Sequence, residues 1–267
     1  MRQVHRAPWA EFPDVILHTN GAKLKAHASY AAAKAGDPAS ALEVAEALIR
    51  PDKVNLDFDV IVPVIQTDAA KHNALPRAAA FILAIKLNRQ ALLNTYQTNE
   101  VSHTKADAAI RILAQPHFAG VVEPGLRVLL LDDVVTFGST IANLRGWLEH
   151  CGAHVVGCTS LASGFASTKL VPPADLLDRL NKRHPNHAEL AHTFGFNQSC
   201  WTNREARFLL ERSDDQFQGL ITAARTLYPS REALINPETQ PRQGRGPIFE
   251  SPGRGRPDER PPDPPQR

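Results

Sequence analysis

The stretch "VLLLDDVVTFGST", residues 128–140, decides how the chain is read. Four apolar residues run into two adjacent aspartates, and a short polar loop then closes on Gly-Ser-Thr. Carboxylates avoid apolar interiors unless something holds them there. Successive side chains of a strand point to opposite faces, so Asp132 and Asp133 serve one ligand only if the strand ends at them. In open parallel sheets ligands sit beyond the carboxyl ends of strands, which is where such a pair would stand. The loop "TFGST" leads straight into a helical pattern, and the N–H groups of a helix N-terminus form an anion site. Gly138 permits a tight loop, and the hydroxyls of Thr136, Ser139 and Thr140 add donors. A phosphate cradle beside two carboxylates suits a sugar phosphate. The loop takes the phosphate, and the carboxylates accept hydrogen bonds from vicinal ribose hydroxyls.

Three other readings compete. The strand with two acids also matches a Walker B element, but that needs a G-x-x-x-x-G-K-[ST] loop and the sequence has no Gly-Lys pair. Receiver domains carry paired acids at a strand end without a phosphate loop directly behind them. The plainest reading is a strand followed by a capped helix.

The segments around this stretch give the fold. "FDVIVPVI" from Phe58 is a continuous apolar run, as expected of a strand covered on both faces. "ALPRAAAFILAIKLNR" follows as a helix, "ALLNTY" as a strand, "HTKADAAIRILAQ" as a short helix, and "RVLLLDD" as a strand. "STIANLRGWLEHCG" is a helix closed by Gly152, and "AHVVGCTSLA" is a fourth strand. The alternation predicts an α/β fold, a parallel sheet with right-handed crossovers and flanking helices. Residues 1–52 read as a helical hairpin in which Gly36 ends one helix, Asp37 caps the next and Pro38 takes its first turn. Residues 53–171 are the core. Residues 172–236 read as a helical extension. Residues 237–267 hold nine of the 21 prolines and too few apolar residues to form a core, which predicts a disordered Pro/Arg-rich tail.

Composition narrows the class. At 267 residues the chain buries one core with small additions. A formal charge of +2 gives no global field for a polyanion. The three cysteines, Cys151, Cys158 and Cys200, form no disulfide framework and suit a reducing cytoplasm. No apolar run reaches the roughly 18 residues of a membrane span, and the N-terminus lacks a signal-peptide pattern. A cytoplasmic protein without a membrane partner is expected.

On these residues the stretch resembles the 5-phosphoribosyl-1-pyrophosphate (PRPP) signature of type I phosphoribosyltransferases. The order "NALP … QTN … HT … R … F.G … DD … G.T.ANLRG" is similar to a ComF-like group of that family associated with plasmids, phages and other mobile elements. The resemblance runs from about Phe58 to Ala166 and implies the family's parallel sheet. It implies that Asp132 and Asp133 hold the ribose diol as the catalytic pair, and that Thr136, Phe137, Gly138, Ser139 and Thr140 wrap the 5-phosphate. Phe137 departs from the small or polar residue usual there and is expected to narrow the loop. Thr136 stands where purine-salvage members carry an aspartate, which argues against a hypoxanthine-guanine enzyme. The resemblance assigns pyrophosphate to the loop "QTDAAKHNALP", with Thr67, Lys71 and His72, although any basic loop would fit. It places a flexible hood at "QTNEVSHTKADAAIRILAQPHFAG", with His103, Lys105 and Arg111; a solvated amphipathic helix is the competing reading.

The function so implied is Mg²⁺-dependent transfer of phosphoribose to an acceptor that the sequence does not name, with release of pyrophosphate. Asp132 and Asp133 would meet the metal through water or substrate. A non-catalytic PRPP-binding regulator, or a DNA-associated factor of a mobile element, is the alternative. The partners expected are PRPP, the acceptor and a second copy of the chain as a homodimer. The tail segment "PGRGRP" adds weak DNA contact through Arg254 and Arg256, in the manner of a minor-groove hook. His184, His187 and His192 lack the H-E-x-x-H spacing and read as an exposed helix. The aromatic segment "FGFNQSCWTNREARFL" reads as core packing before a helix capped by Thr202 or Asn203.

Overall fold

The computed structural model describes residues 5–66, 73–99 and 108–229. The chain opens with a two-residue strand, β1 (Ile16–Leu17), and three helices: α1 (Gly21–Ala26), α2 (Tyr30–Lys34) and α3 (Pro38–Leu48). Strand β2 (Val60–Pro63), helix α4 (Leu75–Leu87) and the short strands β3 (Gln90–Ala91) and β4 (Tyr96–Gln97) follow. Helix α5 (Ala108–Leu113) and β5 (Phe118–Ala119) lead into the two long strands. These are β6 (Arg127–Val135) and β7 (His154–Ser163), joined by α6 (Ser139–His150). The helices α7 (Ala174–Arg183), α8 (His187–Phe194), α9 (Asn203–Leu210) and α10 (Asp214–Leu227) complete the described chain.

The main sheet has the order β1-β7-β6-β2-β3 and every pairing in it is parallel. Strands β4 and β5 form a separate antiparallel pair. Both faces of the sheet are covered, which explains the continuous apolar runs. Leu129 and Leu131 of β6 and Ile61 of β2 pack with Leu24, Ala33, Val44, Leu75 and Leu83 from α1–α4. Val128 and Leu130 of β6 and Val62 of β2 pack with Ile141, Leu144 and Leu148 of α6 on the other face. A third core, built on Trp201, Phe194, Leu209 and Phe217, unites α7–α10 with Ile112 of α5. No helix among the described residues is long and apolar enough to cross a membrane.

Local signals act as the sequence indicates at several ends. Asp37 accepts a hydrogen bond from the Ser40 N–H, with Pro38 opening α3. Thr202 caps α9 in a reciprocal box with Glu205. Gly152 follows α6 in the left-handed region.

Outside the β6–α6 junction, the structure departs from expectation in three places. Residues 1–52 are not only helical: Ile16 and Leu17 pair with Thr159 and Ser160 and close the sheet's edge. "ALLNTY" is not one strand. Gln90–Ala91 pairs with β2, whereas Tyr96–Gln97 pairs with β5. His184 and His187 do not face solvent: both are buried, His184 stacking on Phe217 at 4.3 Å. His192 is exposed.

The N-terminal arm is part of the core. Arg6 lies against α6 at Gly146, where an added Cβ would come within 2.4 Å of the Arg6 Cα. The Arg145 guanidinium sits over the rings of Trp9 and Phe12, at 4.7 and 5.1 Å from their centroids. Absence of a side chain at residue 146 therefore admits an arm that arginine and aromatic faces then hold.

Candidate functional site

Strand β6 does not end at the aspartates. It runs on to Val135, with Asp132 opposite Ser160 and Val134 opposite Ala162 of β7. Two features of the structure stand in for the strand end that a shared ligand requires. First, β2 pairs with β6 only as far as Pro63 and Leu131, with Val64 N–H reaching the Leu131 carbonyl at 2.8 Å. The carboxylates therefore stand past the carboxyl end of β2. Second, the alternation breaks. Leu129 and Leu131 share the face of α1–α4, so strict period two would put Val134 on the other face. Val134 instead packs with the α1–α4 cluster and Val135 with that of α6. The irregularity falls on Asp132 and Asp133, and Asp132 Oδ1 accepts the backbone N–H of Asp133 at 2.8 Å.

The pair is electrostatically unusual. Burial, then the neighbouring charge of Asp133, pushes the Asp132 carboxyl well above the ordinary carboxylate range. Asp133 is buried and accepts a hydrogen bond from Lys34 Nζ at 2.7 Å. Burial works against the Lys34 ammonium, but Asp133 outweighs it and holds its pKa above the usual lysine value. Lys34 is the last residue of α2, in the helical segment between β1 and β2. No motif marked it.

The loop after β6 is ordered by its contacts. Gly138 takes φ +80° as the N-cap of α6. A Cβ there would meet Leu170 Cδ2 at 2.6 Å. The first N–H groups of α6 have no partner within the helix, as an anion site requires. Phe137 turns its ring toward Phe165 and Phe208, at 6.0 and 5.8 Å, and its carbonyl accepts the Thr202 hydroxyl at 2.6 Å. The phenyl group thus anchors the loop to the C-terminal helices, which explains a large residue at that position. Thr136 Oγ1 accepts a hydrogen bond from Arg111 Nη1 at 3.0 Å. One residue assigned to the hood is thereby joined to one assigned to the phosphate loop. Thr140 is half-buried.

Ser139 is placed differently from expectation. Its hydroxyl donates to Glu205 Oε1 at 2.6 Å. What remains for an anion at this position is the backbone N–H. Glu205 is fully buried and also holds Arg6 through two contacts at 2.7 and 2.8 Å. Burial opposes the Glu205 charge, but Arg6 and the Ser139 donor hold its carboxyl below the usual range. Behind the loop, the Arg204 guanidinium lies 3.5 Å from the centre of the Phe165 ring. Burial and the nearby charge of Arg207 lower its pKa. The Thr202-x-x-Glu205 spacing was the one signal for Glu205; Arg204 had none. Thr67, Lys71, His72, His103 and Lys105, with Arg254 and Arg256 of the tail, lie outside the described residues.

No family model matches the chain. It is 32% identical to Protein TraN of Escherichia coli over 252 residues, covering 91% of this chain and 56% of that protein. It is 31% identical to an uncharacterized protein of Haemophilus influenzae over 155 residues, covering 55% of this chain and 35% of that one. The chain thus spans between a third and three fifths of these relatives' lengths. Among solved structures it is similar to an adenine phosphoribosyltransferase at 14% identity and a TM-score of 0.31, covering 48% of this chain and 71% of that one. Leishmania donovani UMP synthase is similar at 17% identity and a TM-score of 0.29, covering 72% of this chain and 33% of that one. Trypanosoma brucei adenine phosphoribosyl transferase, solved with AMP, pyrophosphate and ribose-5-phosphate, is similar at 14% identity and a TM-score of 0.31. The overlap covers 45% of this chain and 65% of that one. At these scores the likeness carries no argument about activity.

Proposed function

We propose that the chain binds PRPP with Mg²⁺ and transfers the phosphoribosyl group to an acceptor, releasing pyrophosphate. The observation that supports this best is the junction of β6 and α6. Two adjacent carboxylates past the end of β2, Asp132 accepting the Asp133 N–H, are followed five residues on by a left-handed Gly138 that opens a twelve-residue helix. In the proposed mechanism Asp132 and Asp133 accept hydrogen bonds from the ribose hydroxyls and face the positive charge that builds on the ring as pyrophosphate leaves. The N–H groups at the start of α6 and the hydroxyls of Thr136 and Thr140 hold the 5-phosphate. Arg111 closes over that loop, and Thr67, Lys71, His72, His103 and Lys105 complete the proposed pyrophosphate and hood contacts. No side chain is required as nucleophile, because the acceptor supplies it.

The donor set suits a magnesium ion shared with the ligand. No cluster of three or more His, Cys, Asp or Glu among the described residues could hold a metal alone. Two carboxylates plus ligand phosphate oxygens match the habit of Mg²⁺. When bound, the ion would neutralise charge on the leaving pyrophosphate.

A second reading, a PRPP-binding regulator without turnover, is favoured by Ser139. Its hydroxyl is committed to Glu205, so the loop offers fewer donors than the resemblance implies. Calorimetry with PRPP and Mg²⁺ tests binding, and pyrophosphate release with a panel of bases, amines, nucleic acids and proteins tests turnover. Failure of the folded protein to bind PRPP would end both readings. Binding without release under every acceptor would leave the regulator.

A further inference from the structure

We infer that Lys34 is a specificity residue of the proposed sugar-phosphate site, releasing Asp133 to a ribose hydroxyl and carrying its ammonium to the anomeric diphosphate. The inference rests on the reading of Asp132 and Asp133 as diol acceptors.

One of the two acceptors is already occupied. Lys34 Nζ lies 2.7 Å from Asp133 Oδ2. A ribose diol that uses both aspartates must share that carboxylate with the ammonium or displace it. The backbone beneath Lys34 is held in place. The carbonyl of Ala33 accepts the Ala74 N–H at 3.2 Å, and Ala33 is fully buried in the core with α3 and α4. Ala74 is the N-cap of α4, so α2 is tied to the helix that follows β2. The side chain itself is 31% exposed against 8% for Asp133. A flexible four-carbon stem on a fixed helix end can turn while its carboxylate partner cannot.

Charge gives the direction of the exchange. A ligand with a 5-phosphate and an anomeric diphosphate brings high negative charge to a site that already holds two carboxylates. Like charges that close are strongly unfavourable unless a cation stands between them. The anomeric diphosphate is bonded to the carbon next to the one carrying the 2-hydroxyl. The inference assigns the 2-hydroxyl to Asp133, so the ammonium it displaces meets the diphosphate first, while the 5-phosphate is held at the far end by the α6 loop. Lys34 thus discriminates between a ribose that carries the diphosphate and one that carries the 5-phosphate alone.

The test compares two ligands and three proteins. PRPP and ribose 5-phosphate are titrated by calorimetry, at one fixed Mg²⁺ concentration, into the wild type, Lys34→Met and Lys34→Arg. Loss of one charge-assisted contact should weaken PRPP binding by Lys34→Met about tenfold or more, with ribose 5-phosphate changed less than about threefold. Lys34→Arg should recover most of the PRPP affinity. Retained ribose 5-phosphate binding also shows that the methionine variant is folded. Equal loss for both sugars, unchanged PRPP affinity or tighter PRPP binding in Lys34→Met would overturn the inference and leave the site reading standing. A wild type that binds neither sugar would overturn that reading, and the role of Lys34 with it.

Discussion

Arg6 and Glu205, 199 positions apart, form a fully buried ion pair with contacts at 2.7 and 2.8 Å. The Arg6 guanidinium also donates to Gln115 Oε1 and to the Cys200 carbonyl, and Glu205 accepts from Ser139. The N-terminal arm, the start of α6 and α9 therefore meet at one carboxylate. Arg6→Ala leaves that carboxylate buried without its cation, which typically costs about 3–5 kcal/mol. Urea denaturation should show the loss. The double variant Arg6→Met with Glu205→Leu should lose clearly less, because no uncompensated charge remains. Equal losses would show that packing of the arm, and not the charge, dominates.

Asp132→Asn should separate stability from binding. The folded carboxyl has a raised pKa, so the unfolded chain ionises more readily. Stability therefore falls as pH rises from the unfolded value of 3.8 toward the higher folded value, and the loss persists above it. Asparagine removes that cost and keeps an Oδ1 acceptor for the Asp133 N–H. The melting temperature at pH 8 should rise, while PRPP affinity falls by about 1.5–3 kcal/mol for a lost charged hydrogen bond. A lowered melting temperature in a folded variant would refute the electrostatic argument.

Gly138 variants cannot report on the proposed phosphate loop alone. The residue sits at φ +80°, and a Cβ would press on Leu170 at 2.6 Å and Thr202 at 3.4 Å. A branched side chain here should therefore disturb the fold as well as the loop. Left-handed backbone costs a non-glycine residue about 1–2 kcal/mol, and overpacking adds about 1–3 kcal/mol. Thermal unfolding of Gly138→Ala should show a loss in this range, and Gly138→Val a larger one. An alanine variant as stable as the wild type would contradict the geometry.

Acid should weaken the fold through two buried histidines. His18 binds the Arg50 N–H at 3.0 Å and lies 2.9 Å from the Thr159 hydroxyl. Burial lowers its pKa from 6.5 to about 4, and burial does the same for His187. Both remain neutral in the folded chain while the unfolded chain takes up protons. Their contribution is fully present above pH 6.5 and is lost as pH falls toward 4, about 3 kcal/mol for His18. Urea midpoints at pH 7 and pH 4.5 should differ accordingly, and His18→Gln should narrow the difference. An unchanged gap in that variant would remove His18 from the account.

Much of the architecture is encoded locally. Apolar runs at Val60–Pro63 and from Val128 predict strands covered on both faces, and Asp37 with Pro38 and Thr202 with Glu205 write helix starts into a few adjacent residues. The carboxylate pair and the Gly138 loop were legible for the same reason: their chemistry is carried by neighbours in sequence. The rest depends on contacts that no period reveals. Lys34 reaches Asp133 across 99 positions and Glu205 reaches Ser139 across 66. Ile16 joins a sheet whose partner strand begins at His154. The strand was expected to stop at the aspartates, because alternation would otherwise separate them. It continues instead, paired to β7 alone after β2 departs, and the break in alternation is made by packing from α1–α4 and α6 on its two faces. Local propensity sets where strands and helices form; which side chains face the aspartates is settled only when distant segments compete for the same buried surface.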